Sequence, residues 1–226
     1  MSLQDSISEN LADPIVDEHG TSSDEGSISS PTYGTETRLD IMKSWIKACD
    51  EHHGSCCRIP KADATIWPMW IIDVVEGCIV EGDIADRYLT LSYVWGGVQT
   101  LQATTANIER LRQPGSLTRD EVVLPKTIQQ ALDVTRLLGE RYIWIDQLSI
   151  LQDDDEHKQA QIENMAEIYA NSYLIFVAVT GDTADFGLAD DIDQMMNQIP
   201  INKVADYRHD VWKYIYHVST WIHRGW

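Results

Sequence analysis

Three groups of residues in this chain have the types and spacing to do chemistry. Ser92, Tyr93, Trp95 and Gly96 close one apolar run and offer two hydroxyls, an indole and a chain-releasing glycine. Asp146, Gln152 and Asp153 follow a second apolar run with carboxylates and an amide, and Arg224 adds a guanidinium far downstream. Brought together, these are the donors and acceptors of a pocket for a polar ligand. Each also has a purely structural use. Ser92 can bond the backbone at a strand end, and Trp95 can fill core as well as stack on a ligand. A carboxylate that closes an apolar strand, as Asp146 does, must find partners if buried, in a cap, an ion pair or a site. Gln152 and Arg224 serve equally as pocket donors or as satisfied structural groups, with Arg224 available to pair with Asp146. The third group, Cys49, His52, His53, Cys56 and Cys57, has zinc-like spacing but no matching second pair, and Cys49 falls on an apolar helical stripe. No metal site is therefore expected. Asp182, Asp185, Asp190, Asp191 and Asp193 lack the spacing and the Glu of a calcium loop. No Gly-rich phosphate loop of the dinucleotide or NTP type occurs, and no bound cofactor is expected.

The elements that must position these groups are legible in order. Tyr88–Val94 reads as a strand that ends at Trp95-Gly96-Gly97. Leu124-Pro125 opens a helix with Pro125 at its first position, one face of Ile128, Ala131, Leu132, Thr135 and Leu138, and Gly139 as its stop. Tyr142–Asp146 is a second strand. Asp153 to Asp155 are cap candidates for a helix carrying Ile162, Met165, Ala166 and Tyr169 on one stripe. Tyr173–Val179, a continuous apolar run, reads as a strand covered on both faces. Strands and helices alternating at this length imply parallel pairing with right-handed crossovers, and ligands of such sheets collect at the carboxyl ends of the strands. Those ends carry Ser92 to Gly97, Asp146 to Gln152 and Thr180 to Asp182. Upstream, Leu39, Met42, Ile46 and Cys49, with Trp45 beside them, recur at helical spacing, and Trp70–Val75 and Cys78–Glu81 flank the turn signal Glu76-Gly77. The expected fold class is α/β: a mostly parallel sheet flanked by helices, with an N-terminal helix and β-hairpin.

Composition narrows the function. The chain has 226 residues, 43% of them hydrophobic, and a formal charge of −19 from 36 acidic against 17 basic side chains. That length supports one sizeable core, and that charge opposes nucleic acid and anionic membrane surfaces. No signal-type start and no apolar run of about 20 residues is present, so a soluble cytoplasmic protein with reduced cysteines is expected. Residues 1–36, rich in Ser, Asp, Glu and Gly and without Lys or Arg, read as a disordered acidic tail. Residues 37–84 hold the helix and hairpin, and 85–226 the α/β core.

Six blocks in this order resemble the signature of fungal heterokaryon-incompatibility (HET) domains: Leu91-Ser-Tyr-Val-Trp-Gly96, Leu124-Pro-Lys-Thr-Ile128, Tyr142-Ile-Trp-Ile-Asp146, Ile150-Leu-Gln-Asp-Asp154, Met165-Ala-Glu-Ile-Tyr169 and Gly187-Leu188. Trp45, Cys49, His53 and Cys56 resemble the usual prelude, and Arg224-Gly-Trp226 the start of an Arg-x-Trp-x-x-Gln-Glu block. Ser149 departs from the pattern, standing where the family usually has Cys, which speaks against a cysteine nucleophile there. The resemblance implies an effector of nonself recognition and programmed cell death, acting through protein partners or self-association. It also implies a distant kinship with Toll/interleukin-receptor (TIR) domains, hence a TIR-like or flavodoxin-like sheet. Some TIR domains cleave NAD, so a nucleotide ligand with NAD as substrate is the enzymatic alternative. On that comparison the chain stops before the Gln-Glu of the last block, and a truncated, impaired effector is expected.

Overall fold

The computed structural model describes residues 38–52, 66–83, 86–97, 99–179 and 181–188. The proposed acidic tail and Arg224 lie outside them. The N-terminal stripe forms α1 (Arg38–His52), and the turn signal Glu76-Gly77 joins β1 (Trp70–Asp73) to β2 (Cys78–Glu81). After β3 (Tyr88–Ser92) come α2 (Ile108–Leu111), α3 (Lys126–Leu138) and β4 (Tyr142–Trp144). The chain continues through α4 (Asp146–Ser149), α5 (Asp155–Glu163), α6 (Met165–Ala170) and β5 (Leu174–Val177).

The five strands form one sheet in the order β2-β1-β4-β3-β5. It is mixed, not mostly parallel: β3 pairs in parallel with β4 and β5, while β1 runs antiparallel to both β2 and β4. The hairpin is therefore part of the main sheet. Ile71 and Ile72 project to opposite faces and are both fully buried, so each face of β1 needs cover that a free hairpin lacks. Alternation divides the core in two. Ile72, Ile79, Leu89, Leu91 and Ile143 pack with Ile128, Ala131 and Leu132 of α3, whereas Ile71, Tyr88 and Trp144 pack with Ile150 and Ile168 of α6.

Three further expectations are corrected. The run Tyr173–Val179 is not covered on both faces: β5 is an edge strand whose Ile175 and Val177 remain 47% and 38% exposed. The helix after Asp154 is interrupted at Asn164, which turns the buried face to Gln161 and Ile168 and leaves Ile162 and Ala166 exposed. Pro125 caps α3 from just outside, at φ −56° and ψ 148°, while Gly139 closes the helix at φ 85° as the sequence suggests.

Gly96 and Gly97 separate two effects of a side chain. Both have positive φ, 68° and 70°. A Cβ on Gly96 would fall 2.5 Å from Thr183 Cα in the loop after β5, whereas one on Gly97 meets nothing within 4 Å. Gly97→Ala should thus cost only the left-handed backbone term, about 1–2 kcal/mol. Gly96→Ala should cost clearly more, because two loops must separate, and urea denaturation of the two variants measures the gap.

Candidate functional site

The carboxyl ends of β3 and β4 lie side by side, and one carboxylate joins them. Trp95 Nε1 donates to Asp146, 3.1 Å from each oxygen, and Asp146 Oδ1 also accepts the Gln147 N–H at 2.7 Å. Asp146 opens the first turn of α4, where the helix dipole favours a negative charge. Gln152 Nε2 donates to the carbonyls of Asp146 (3.1 Å) and Ile150 (3.0 Å), so its amide folds the connection after β4 back on itself. Trp95, Asp146 and Gln152 thus meet in one half-buried constellation.

The other candidates sit around it. Ser92 is buried at the end of β3, in register with Val177, and its carbonyl accepts the Ala178 N–H at 2.8 Å. Tyr93 turns inward, 1% exposed, and its hydroxyl donates to Gln147 Oε1 at 2.8 Å. Asp153 accepts the Thr105 N–H at 2.8 Å and hydroxyl at 2.7 Å, bonds that hold its carboxyl below the usual carboxylate range. Gly96 brings the β3 loop against the β5 loop, and Arg224 lies outside the described residues.

Sequence reasoning missed Gln147, on which these loops converge. Its side chain is 2% exposed, receives Tyr93, and donates to Thr100 Oγ1 and to Leu101 O. Its carbonyl accepts the Ala103 N–H at 3.0 Å, while Ala103 O accepts the Gln152 N–H at 2.8 Å. The signal was an amide set, beside Asp146, between Ile143-Trp-Ile145 and Leu148, which has to be satisfied wherever it is buried.

Two shallow hollows lie at opposite ends of the parallel strands. One, of about 440 Å³, is lined by Thr100, Leu101, Arg110, Val122, Pro125 and Asp185, and thus borders the Gln147 network. The other, of about 290 Å³, lies between α1 and the sheet, where Tyr173 donates to Asp50 at 2.6 Å and Arg87 stacks 4.3 Å over the Tyr173 ring. Neither is lined by Ser92, Trp95, Asp146 or Gln152. Among the described residues, no group of three or more His, Cys, Asp or Glu side chains could hold a metal ion. Cys49 and His52 ride on α1, and His53, Cys56 and Cys57 lie outside the described residues. Cys78 is buried beside Asp73, and burial and that carboxylate push its thiol up, away from nucleophilic chemistry. Ser149, fully buried, accepts the Ile145 N–H at 3.3 Å. No described helix is long and apolar enough to cross a membrane.

The family model of heterokaryon incompatibility proteins (HET) matches residues 88–226, which take in β3, β4, β5 and the strand-end candidates from Ser92 to Arg224, but not the cysteines and histidines upstream. The chain belongs to the HET family. A curated relative, "Heterokaryon incompatibility protein 6, OR allele" of Neurospora crassa, is 26% identical over 146 residues, covering 59% of this chain and 20% of the relative. The chain therefore spans about a fifth of that relative's length. No solved structure matches. In this HET chain the matched region begins at Tyr88, so the strand-end constellation lies inside it and the hairpin outside it.

Two expectations follow from the constellation. Gln147→Leu should destabilise by about 1–3 kcal/mol, since it strands the buried Tyr93 hydroxyl. Combined with Tyr93→Phe it should cost less than the sum of the two single changes, which a double-mutant cycle in urea would read.

His157 makes the second. Asp154 caps α5 by accepting the His157 N–H at 2.9 Å, and the His157 ring accepts the Leu151 N–H on Nδ1 at 3.2 Å. Burial pushes the ring's pKa down, against the opposite pull of Asp154. Its folded value therefore lies below the unfolded value of about 6.5. The unfolded chain binds the proton first, so this contribution is whole above that pH and is lost as pH falls through it. His157→Asn keeps an acceptor for Leu151 and should flatten the loss of urea midpoint between about pH 7 and pH 5.

Proposed function

We propose that this chain is an effector module of fungal nonself recognition, which promotes cell death after fusion of unlike cells by contacting protein partners or further copies of itself. The observation that carries the reading is the family match over residues 88–226, together with the relative whose name states heterokaryon incompatibility. The geometry supports a signalling surface built at the strand ends. Trp95, Asp146, Gln147 and Gln152 hold the loops after β3 and β4 in one arrangement, and Asp146 is their common charged group. A change at Asp146 would thus alter the whole surface that a partner or a nucleotide meets. We place the protein in the cytoplasm, with no resident cofactor.

Asp146→Asn tests the site with little change of shape. An amide can still accept from Trp95 and the backbone but has lost the charge. Expressed in fungal cells, the variant should kill at least tenfold less efficiently than the parent while giving the same far-UV circular dichroism and a melting temperature within a few degrees. Killing unchanged by the substitution would remove Asp146 from the effector surface. Incubating the same purified protein with NAD and following nicotinamide reads the enzymatic alternative directly.

A further inference from the structure

The two edges of the sheet are protected unequally. At the β2 edge, Glu81 is paired to Arg112 at 2.8 Å, and Arg112 also lies 4.8 Å over the Trp70 ring, so charge and cover blunt the strand. The β5 edge is guarded at its start, where Arg87 lies 4.3 Å over the Tyr173 ring, but no described ion pair or stacked cation covers Leu174–Val177. From Tyr173 to Val179 the chain carries no charge, no proline and no glycine, and no described strand pairs with its outer side. Ile175 and Val177 share one face and stay 47% and 38% exposed. Natural edge strands are usually guarded by charges, prolines or bulges, because their free N–H and C=O groups template pairing with another strand.

We propose that β5 is a self-association edge, paired antiparallel with β5 of a second copy of this chain about a twofold axis at Phe176. An edge that no described strand pairs takes an extended segment as its occupant. A second copy fits because the strand is complementary to itself in that register. Ile175 then faces Val177 of the other copy, Phe176 faces Phe176 and Leu174 faces Ala178, so apolar residues meet on both faces. Charge points the same way. Two chains of −19 repel over most of their surfaces, and this uncharged stretch is a place where they can approach without setting like charges opposite each other. The pairing would supply the self-association named in the effector reading. It is measured on purified protein without any killing assay, so either idea can fail alone.

Sedimentation velocity of the 226-residue protein over a range of concentrations should show a reversible monomer–dimer equilibrium. Ile175→Lys with Val177→Lys, both at exposed positions, should abolish it at an unchanged melting temperature. A parent chain that stays monomeric, or a doubly substituted chain that still dimerises, overturns the proposal. Register is tested separately, so a poorly folding lysine variant does not leave the question open. When an Ile175→Cys chain and a Val177→Cys chain are mixed and mildly oxidised, peptide mapping should find the 175–177 disulfide between them in preference to 175–175 or 177–177. Equal yields of all three would overturn the twofold register.

Discussion

A buried amide cannot be left half-bonded, and that constraint at Gln147 organises the strand ends. An unsatisfied buried polar group costs about 1–3 kcal/mol, so Tyr93 just after β3 and Thr100 and Leu101 farther along the same loop must all be in place around one side chain. Once they are, the neighbouring residue, Asp146, has its direction set, and Trp95 and Gln152 close around it. The half-buried carboxylate is held by structure that ordinary folding energetics already demand.

The rest of the sheet provides the platform. Alternation along each strand sends one set of side chains to α3 and the other to α6. The hairpin is fastened to the parallel part by a buried carboxylate: Asp73, 2% exposed, accepts the N–H groups of Val75 and Glu76, each at 2.9 Å, and the Arg141 guanidinium at 2.8 Å. Arg136 of α3 adds a bond of 2.8 Å to Val74 O. Turn, sheet and helix are tied at one point by groups that are satisfied only together.

What was legible in the sequence was local. Each strand from Trp70 to Val177 and the helix α3 was marked by its own period or punctuation, whereas the one-turn helices α2 and α4 and the break between α5 and α6 were not; Gly77, Gly139 and Asp154 stand at the boundaries they suggested, and Pro125 stands one residue outside its own. What was not legible was set by partners distant in the chain. The antiparallel joint of Ile72 and Asp73 with Ile143 and Tyr142 depends on a pairing across about seventy residues that no local pattern announces. An apolar run such as Tyr173–Val179 reads the same at a sheet's centre and at its edge. The loop candidates Trp95, Asp146 and Gln152 were recognisable by type and position, but Gln147 was passed over because one amide in an apolar stretch resembles a tolerated exception.

The joint between β1 and β4 also bears on how the domain can be cut. The family match starts at Tyr88, the first residue of β3, yet β1 lies between β2 and β4 in the same sheet. Expressing the matched segment alone would strip the partner from β4 and uncover Ile143 and Tyr142. The product would gain a raw margin at β4 that β1 covers in the longer chain, and it would invite aggregation for reasons unrelated to biology. The family boundary is thus a boundary of sequence similarity and not of the folding unit, and the hairpin upstream must travel with the part that the family describes.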